Sequence, residues 1–180
     1  LWSMENLAFV LENEERYPEA EELLRERLEI QHRVLGEEDG YTLWSMIKLS
    51  SVLYEQGRYS ESEELSRKTL EIVRRVLGEE HWYALDSMKN LANALSGPGR
   101  YPDAEELHQK VLEIQRRVLG DEHADTLNGI DGLAWLRSGQ GKWPEAEALW
   151  REELQIQRHV LGDEHPETLG NMVVLAQEAL

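Results

Sequence analysis

Residues 85–126 read LDSMKNLANALSGPGRYPDAEELHQKVLEIQRRVLGDEHADT. In the first half Leu85, Met88, Leu91, Ala92 and Leu95 fall at three- and four-residue spacing, one apolar stripe of a helix. Gly97-Pro98-Gly99 then breaks the pattern. In the second half Tyr101, Ala104, Leu107, Val111, Ile114 and Val118 form another stripe. Asp103, Glu105, Glu106, Lys110, Glu113, Arg116 and Arg117 take the opposite, solvated face. Acids come early and bases late, which suits the helix macrodipole. The stretch predicts a helical hairpin.

The same pattern runs along the whole chain. Leu1, Leu43, Leu85, Leu127 and Leu169 stand 42 residues apart, Arg16-Tyr17 recurs as Arg58-Tyr59, Arg100-Tyr101 and Lys142-Trp143, and Val34-Leu35-Gly36 returns three times. The predicted units are 1–42, 43–84, 85–126, 127–168 and a partial copy, 169–180. A hairpin this short cannot bury its apolar face alone, so the copies must stack on one another. The expectation is an all-α chain, an α-solenoid of antiparallel helix pairs forming a single array over residues 1–180. Because the sequence starts inside one copy and stops inside another, it reads as a fragment of a longer array. Such an array offers extended surface rather than one cleft, which points to binding.

Composition narrows the partners. The 180 residues carry 36 acidic and 19 basic side chains, a formal net charge of −17. Phosphate backbones and anionic membranes would repel such a surface, so neither nucleic acid nor membrane is expected as a partner. There is no cysteine, hence no disulfide framework and no thiolate metal site. No apolar run is long enough to cross a bilayer and no signal-peptide pattern is present. A reducing, cytoplasmic setting is expected.

Local signals set the helix ends. Gly36, Gly78, Gly120 and Gly162 follow the last apolar residue of each second helix, and the next helix is expected to begin near His81, His123 and His165. The pairs Glu29–Arg33, Glu71–Arg75 and Glu113–Arg117 have i,i+4 spacing with the acid first, each worth about 0.2–0.5 kcal/mol. At the turn inside each hairpin Gly57, Gly99 and Gly141 share one column, where the first copy has Glu15. If that turn needs a positive φ, Glu15 is strained, and Glu15→Gly should stabilise by roughly 0.5–1 kcal/mol.

These residues carry a resemblance. Leu7-Ala8, Leu49-Ser50, Leu91-Ala92 and Leu133-Ala134 resemble the small-residue contact in the first helix of a tetratricopeptide repeat. The turn glycine, the following Tyr or Trp, and Ala20, Ser62, Ala104 and Ala146 resemble its second-helix signature. The 42-residue period, the recurring Leu-Glu-Ile and the Val-Leu-Gly-Glu/Asp-Glu-His stretch are similar to the kinesin-light-chain type. The resemblance implies a right-handed superhelix whose first helices line a concave groove that holds a partner polypeptide.

Carried over column by column, that groove would contain Trp2, Glu5, Asn6, Phe9 and Glu12, then Trp44, Ile47, Lys48, Ser51 and Tyr54. It would continue through Asp86, Lys89, Asn90, Asn93 and Ser96, and end with Asn128, Asp131, Trp135 and Ser138. Unlike the apolar stripe, these columns differ sharply between copies. Aromatic rings on a polar face would suit a partner's apolar anchors; the alternative is that Trp2 and Trp44 cover a junction between copies. The family's chaperone-tail binders grip a terminal carboxylate with Lys, Asn and Arg, but the matching positions here are Glu5, Phe9, Lys48, Asp86 and Asn90. A neutral or basic protein or peptide with apolar anchors is therefore the expected partner.

Chemistry is not expected. The histidines recur once per copy and never share the i,i+4 spacing of a helical zinc motif, so capping explains them better than metal binding. Gly139-Gln140-Gly141-Lys142 mimics the end of a phosphate loop, but Leu136 and Trp143 stand where Gly and Ser or Thr are required. Acid pairs such as Glu21-Glu22, Glu63-Glu64 and Glu105-Glu106 read as solvated helix starts. No enzyme activity, cofactor or metal is expected. A rival function has its own basis. Leu1, Met4 and Leu7 at one end, and Met172, Leu175, Ala176 and Leu180 at the other, could make the array a spacer or self-assembly module joined through uncapped ends.

Overall fold

The computed structural model describes the backbone of residues 2–178 and the side chains of residues 4–175. Each apolar stripe folds as a helix: α1 (Trp2–Asn13), α2 (Tyr17–Val34), α3 (Gly40–Glu55), α4 (Tyr59–Val76), α5 (Trp82–Ser96), α6 (Tyr101–Leu119), α7 (Ala124–Gly139), α8 (Trp143–Val160) and α9 (Pro166–Glu178). No strand occurs among the described residues. The chain forms two compact units, Leu1–Arg100 and Tyr101–Leu180. In the first, α1 pairs with α2 and α3 with α4, and α5 packs on both α4 and α3. In the second, α6 packs on α7, α7 pairs with α8, and α9 packs on α8. The architecture is all-α, built from stacked antiparallel helix pairs.

Small residues let the two helices of a pair approach. Ala8 and Ala20 in the first unit, and Ala134 and Ala146 in the second, are all buried. The second copy has serines in both columns, and the Ser62 hydroxyl donates to the Ser50 carbonyl at 2.7 Å, so the buried oxygen is satisfied. Around these contacts the predicted stripe Leu85, Met88, Leu91, Ala92 and Leu95 is buried throughout. Val118 departs from the expected stripe and is 48% exposed, as are Val34, Val76 and Val160 in the same column to similar degrees. The second helices α2, α4, α6 and α8 run 18–19 residues against 15–16 for α3, α5 and α7, and this valine column lies in their last turn.

Glu15 does adopt a left-handed conformation, φ +58°, in the column where Gly57, Gly99 and Gly141 lie at +74° to +86°. The turn closes in the same way in both classes: Arg16 N donates to Leu11 O at 2.8 Å and Arg58 N to Leu53 O at 2.9 Å. Helix starts are capped from one column. Asp39 accepts from Tyr41 N, and the Nδ1 atoms of His81, His123 and His165 accept from Tyr83, Asp125 and Glu167 N at 3.1–3.3 Å. An imidazole nitrogen thus does the work of a carboxylate cap.

Two electrostatic expectations change. The first acid of each pair is not solvated, because the basic residue opening the next second helix reaches back to it. Arg58 meets Glu21 at 2.6 Å, Arg100 meets Glu63 at 3.0 Å, and Lys142 meets Glu105 at 3.1 Å. Burial pushes these carboxyls up, but the hydrogen bonds they accept outweigh it and hold them below the usual carboxylate range. Likewise Arg75 turns to Glu38 at 2.8 Å rather than to Glu71, and i,i+4 pairs with short contacts include Glu21–Arg25, Glu63–Arg67 and Glu147–Arg151. Inter-repeat pairing thus captures Arg75, a base that isolated-helix logic assigns to its own helix.

Candidate functional site

In the first unit α1, α3 and α5 carry the candidate columns, and several of these residues bond to one another across copies. The Glu5 carboxylate accepts from Arg27 Nη2 at 2.8 Å and from Trp44 Nε1 at 2.9 Å. Glu12 pairs with Lys48 at 2.8 Å, and the same ammonium lies 5.6 Å from the Trp44 ring centroid. Asn90 donates to Ile47 O at 2.9 Å and to Ser50 Oγ at 2.8 Å. On α5, Lys89 pairs with Asp86 at 2.6 Å. Arg27, Lys48 and Lys89 thus each face a carboxylate, and the face offers no surplus of positive charge.

The remaining positions divide by burial. Ile47 is buried at 4% exposure and belongs to the core rather than to an open face. Trp44, Ser51, Tyr54 and Asn93 are half-buried; Asn6 and Phe9 are exposed. Tyr54 packs its ring 5.6 Å from that of Tyr59, and burial pushes its phenol above the ordinary value. The Trp2 side chain lies outside the described residues.

Sequence reasoning missed the aromatic group beside Trp44. Trp82 lies 5.3 Å from it at a tilt of 56°, and Tyr83 stacks on it at 5.9 Å and 15°. Trp82 is 51% exposed, and Tyr41, in the column of Tyr83, is 66% exposed. The signal was present. Tyr41 and Trp82-Tyr83 lie in the first turn of α3 and α5, just ahead of the columns that open at Trp44 and Asp86.

In the second unit Asn128 is exposed and Asp131 half-buried, accepting from Trp150 Nε1 at 3.0 Å. Trp135 sets its ring edge-on to Trp150 at 5.2 Å and 76°. Burial pushes the Asp131 carboxyl up, against the hydrogen bonds it accepts. Lys142, the end of the apparent phosphate loop, is engaged with Glu105. Among the described residues no group of three or more His, Asp or Glu could hold a metal ion, and no helix is long and apolar enough to cross a membrane.

Comparison with known proteins places this arrangement. The sequence profile of the tetratricopeptide repeat matches residues 1–75, 48–117 and 87–149. No curated protein matches the chain. Among solved structures, a Podosopora anserina protein described as a kinesin light chain with nearly identical TPR-like repeats is 31% identical. The match covers 99% of this chain and 84% of that one, with a TM-score of 0.82. BtubC (BKLC) from P. vanneervenii is 21% identical over 98% of this chain and 71% of its own, with a TM-score of 0.78. The apo form of RapI is 18% identical over 86% of this chain and 54% of its own, at 0.69. The last two share the fold. The helix pairs, their small-residue contacts and their 42-residue register show that the chain belongs to the tetratricopeptide repeat family, in its kinesin-light-chain type.

Proposed function

We propose that this chain is a non-enzymatic interaction scaffold that holds a polypeptide partner against the faces of its first helices. The observation that carries this reading is the cluster of Trp44, Trp82 and Tyr83, with Trp82 half open to water beside a ladder of satisfied polar groups. Large rings on a rigid, polar surface are what an apolar anchor of a partner would bury. Phe9, 59% exposed on α1, supplies a further ring in the same unit. With Arg27, Lys48 and Lys89 all paired to carboxylates, an acidic partner would meet uncompensated repulsion, so the segment is neutral or basic.

A peptide-display selection on the chain, run beside a Trp82→Ala, Phe9→Ala variant, tests the proposal. Enriched peptides that lose binding to the folded variant would support it. Equal binding to both proteins would move the site elsewhere. A second reading, self-association, is favoured by Leu7 and Val10 on α1 and by Leu169, Met172 and Val173 on α9, all exposed. The side chains of Leu1, Ala176 and Leu180 lie outside the described residues. Sedimentation from micromolar to near-millimolar concentration would separate the two: a monomer throughout leaves the scaffold reading alone.

A further inference from the structure

The 42-residue register allows one copy to be read against another. It puts Glu5 and Asp131 in one column, Arg27 and Glu153 in a second, and Trp44 and Gly170 in a third. In the first unit the three side chains fill one space. Glu5 receives the Arg27 guanidinium at 2.8 Å and the Trp44 indole at 2.9 Å, and Arg27 is 2% exposed. In the second unit the same columns hold an acid, another acid and no side chain. A cavity of about 370 Å³ opens there between α7, α8 and α9.

Its chemistry is one-sided. Trp135 and Trp150 form aromatic walls, while Asp131, Glu153 and Glu167 contribute carboxyl groups. Glu153 is 7% exposed. Gln157 Nε2 donates to Glu153 Oε1 at 2.8 Å and Asn171 Nδ2 donates to Gln157 Oε1 at 3.4 Å, which orients the amides and leaves Asn171 Oδ1 over. That oxygen has no hydrogen-bond partner although Asn171 is only 8% exposed and lines the cavity. A Cβ added at Gly170 would meet nothing within 4 Å, so close packing does not require this glycine in mid-helix. The cavity therefore holds surplus acceptors, two π faces and negative charge, and its copy in the first unit is filled by a guanidinium and an indole from the chain itself.

We propose that this cavity takes an arginine side chain of the bound polypeptide, its guanidinium replacing the one that Arg27 supplies in the first unit. The assignment rests on the scaffold reading and adds to it a basic anchor residue. Guanidinium fits better than a simple cation because it brings five donors in one plane to the carboxyls and the Asn171 oxygen, and stacks on indole. Burial, and then the charges of Asp131 from α7 and Glu167 from α9, push the Glu153 carboxyl up to about 8. A bound guanidinium would draw that proton off, so binding strengthens as pH rises from 6 to 9.

The test titrates N-acetyl-arginine amide, its lysine analogue and the neutral isostere N-acetyl-citrulline amide into the whole chain, reading the indole N–H signals of Trp135 and Trp150. The arginine probe should shift both saturably, at least threefold more tightly at pH 8.5 than at pH 6.5, with citrulline silent and lysine weaker. Gly170→Trp, which restores the ring of the first unit, and Glu153→Arg, which restores its guanidinium, should each abolish the shift. No saturable shift, a citrulline response equal to that of arginine, or equal lysine and arginine responses would overturn the assignment. Display peptides that still depend on Trp82 in that event would leave the scaffold reading standing, so the two failures are distinguishable.

Discussion

The left-handed Glu15 offers a stabilising substitution whose size follows from the backbone alone. At φ +58° its Cβ crowds the following carbonyl, a conformation that costs an L-residue about 1–2 kcal/mol. Glycine escapes that penalty, but loses roughly 0.5–1 kcal/mol more backbone entropy on folding. The difference leaves Glu15→Gly more stable by about 0.5–1 kcal/mol, a rise in melting temperature of roughly 1–4 °C for a chain of this size. Charge must be separated from conformation, since Glu15 adds to the negative field around the Tyr17 phenol. Glu15→Ala removes the charge while keeping the Cβ at positive φ, so it should gain little or nothing. Thermal unfolding of the three proteins by circular dichroism decides the matter. A flat or lower midpoint for Glu15→Gly, or an equal gain for Glu15→Ala, would refute the argument from backbone strain.

Three further outcomes are expected. Leu91→Ala removes a side chain only 3% exposed in the centre of α5 and should cost about 2–5 kcal/mol in chemical denaturation; a loss below about 0.5 kcal/mol would mean the buried face is misassigned. Burial raises the Glu21 carboxyl, but hydrogen bonds from Gln56, Arg25 and Arg58 outweigh it and bring it down to about 2. Its stabilising contribution is therefore complete above pH ~4.5 and lost as pH falls towards 2, so Glu21→Gln should flatten the acid limb of the stability profile. Glu153 behaves oppositely: raised to about 8, it favours folding fully below pH ~4.5 and progressively less as pH rises through 8. Glu153→Gln should therefore gain stability over the parent at pH 8–9 and show no advantage near pH 4; a gain at pH 4 equal to that at pH 9 would contradict the assigned shift.

Periodicity made the fold legible because helix pairing depends on spacing and residue size, both written locally. Leu85, Met88, Leu91 and Leu95 announce a stripe whatever surrounds them, and Glu15 announces a strained turn because its column is otherwise glycine. The face of the first helices was only partly legible. Columns show which residues can meet, but not which bonds they choose. Glu5 holds Arg27 and Trp44, and Asn90 reaches the Ile47 carbonyl, through contacts between copies that no single helix encodes. Trp82 and Tyr83 were missed because the columns carried over from the family open at Asp86, although the helix opens at Trp82. The acidic cavity was harder still. Its sign appears only when Arg27 is set beside Glu153 and Trp44 beside Gly170, and its depth only when three helices are in place.

Hydrogen–deuterium exchange of the chain with and without a display-selected peptide tests the central claim most directly. Binding against the first helices predicts added protection in α3 and α5, greatest around residues 82–96, with little change along α2 and α4. Protection confined to the second helices, or to none of the described helices while the peptide remains bound, would contradict it.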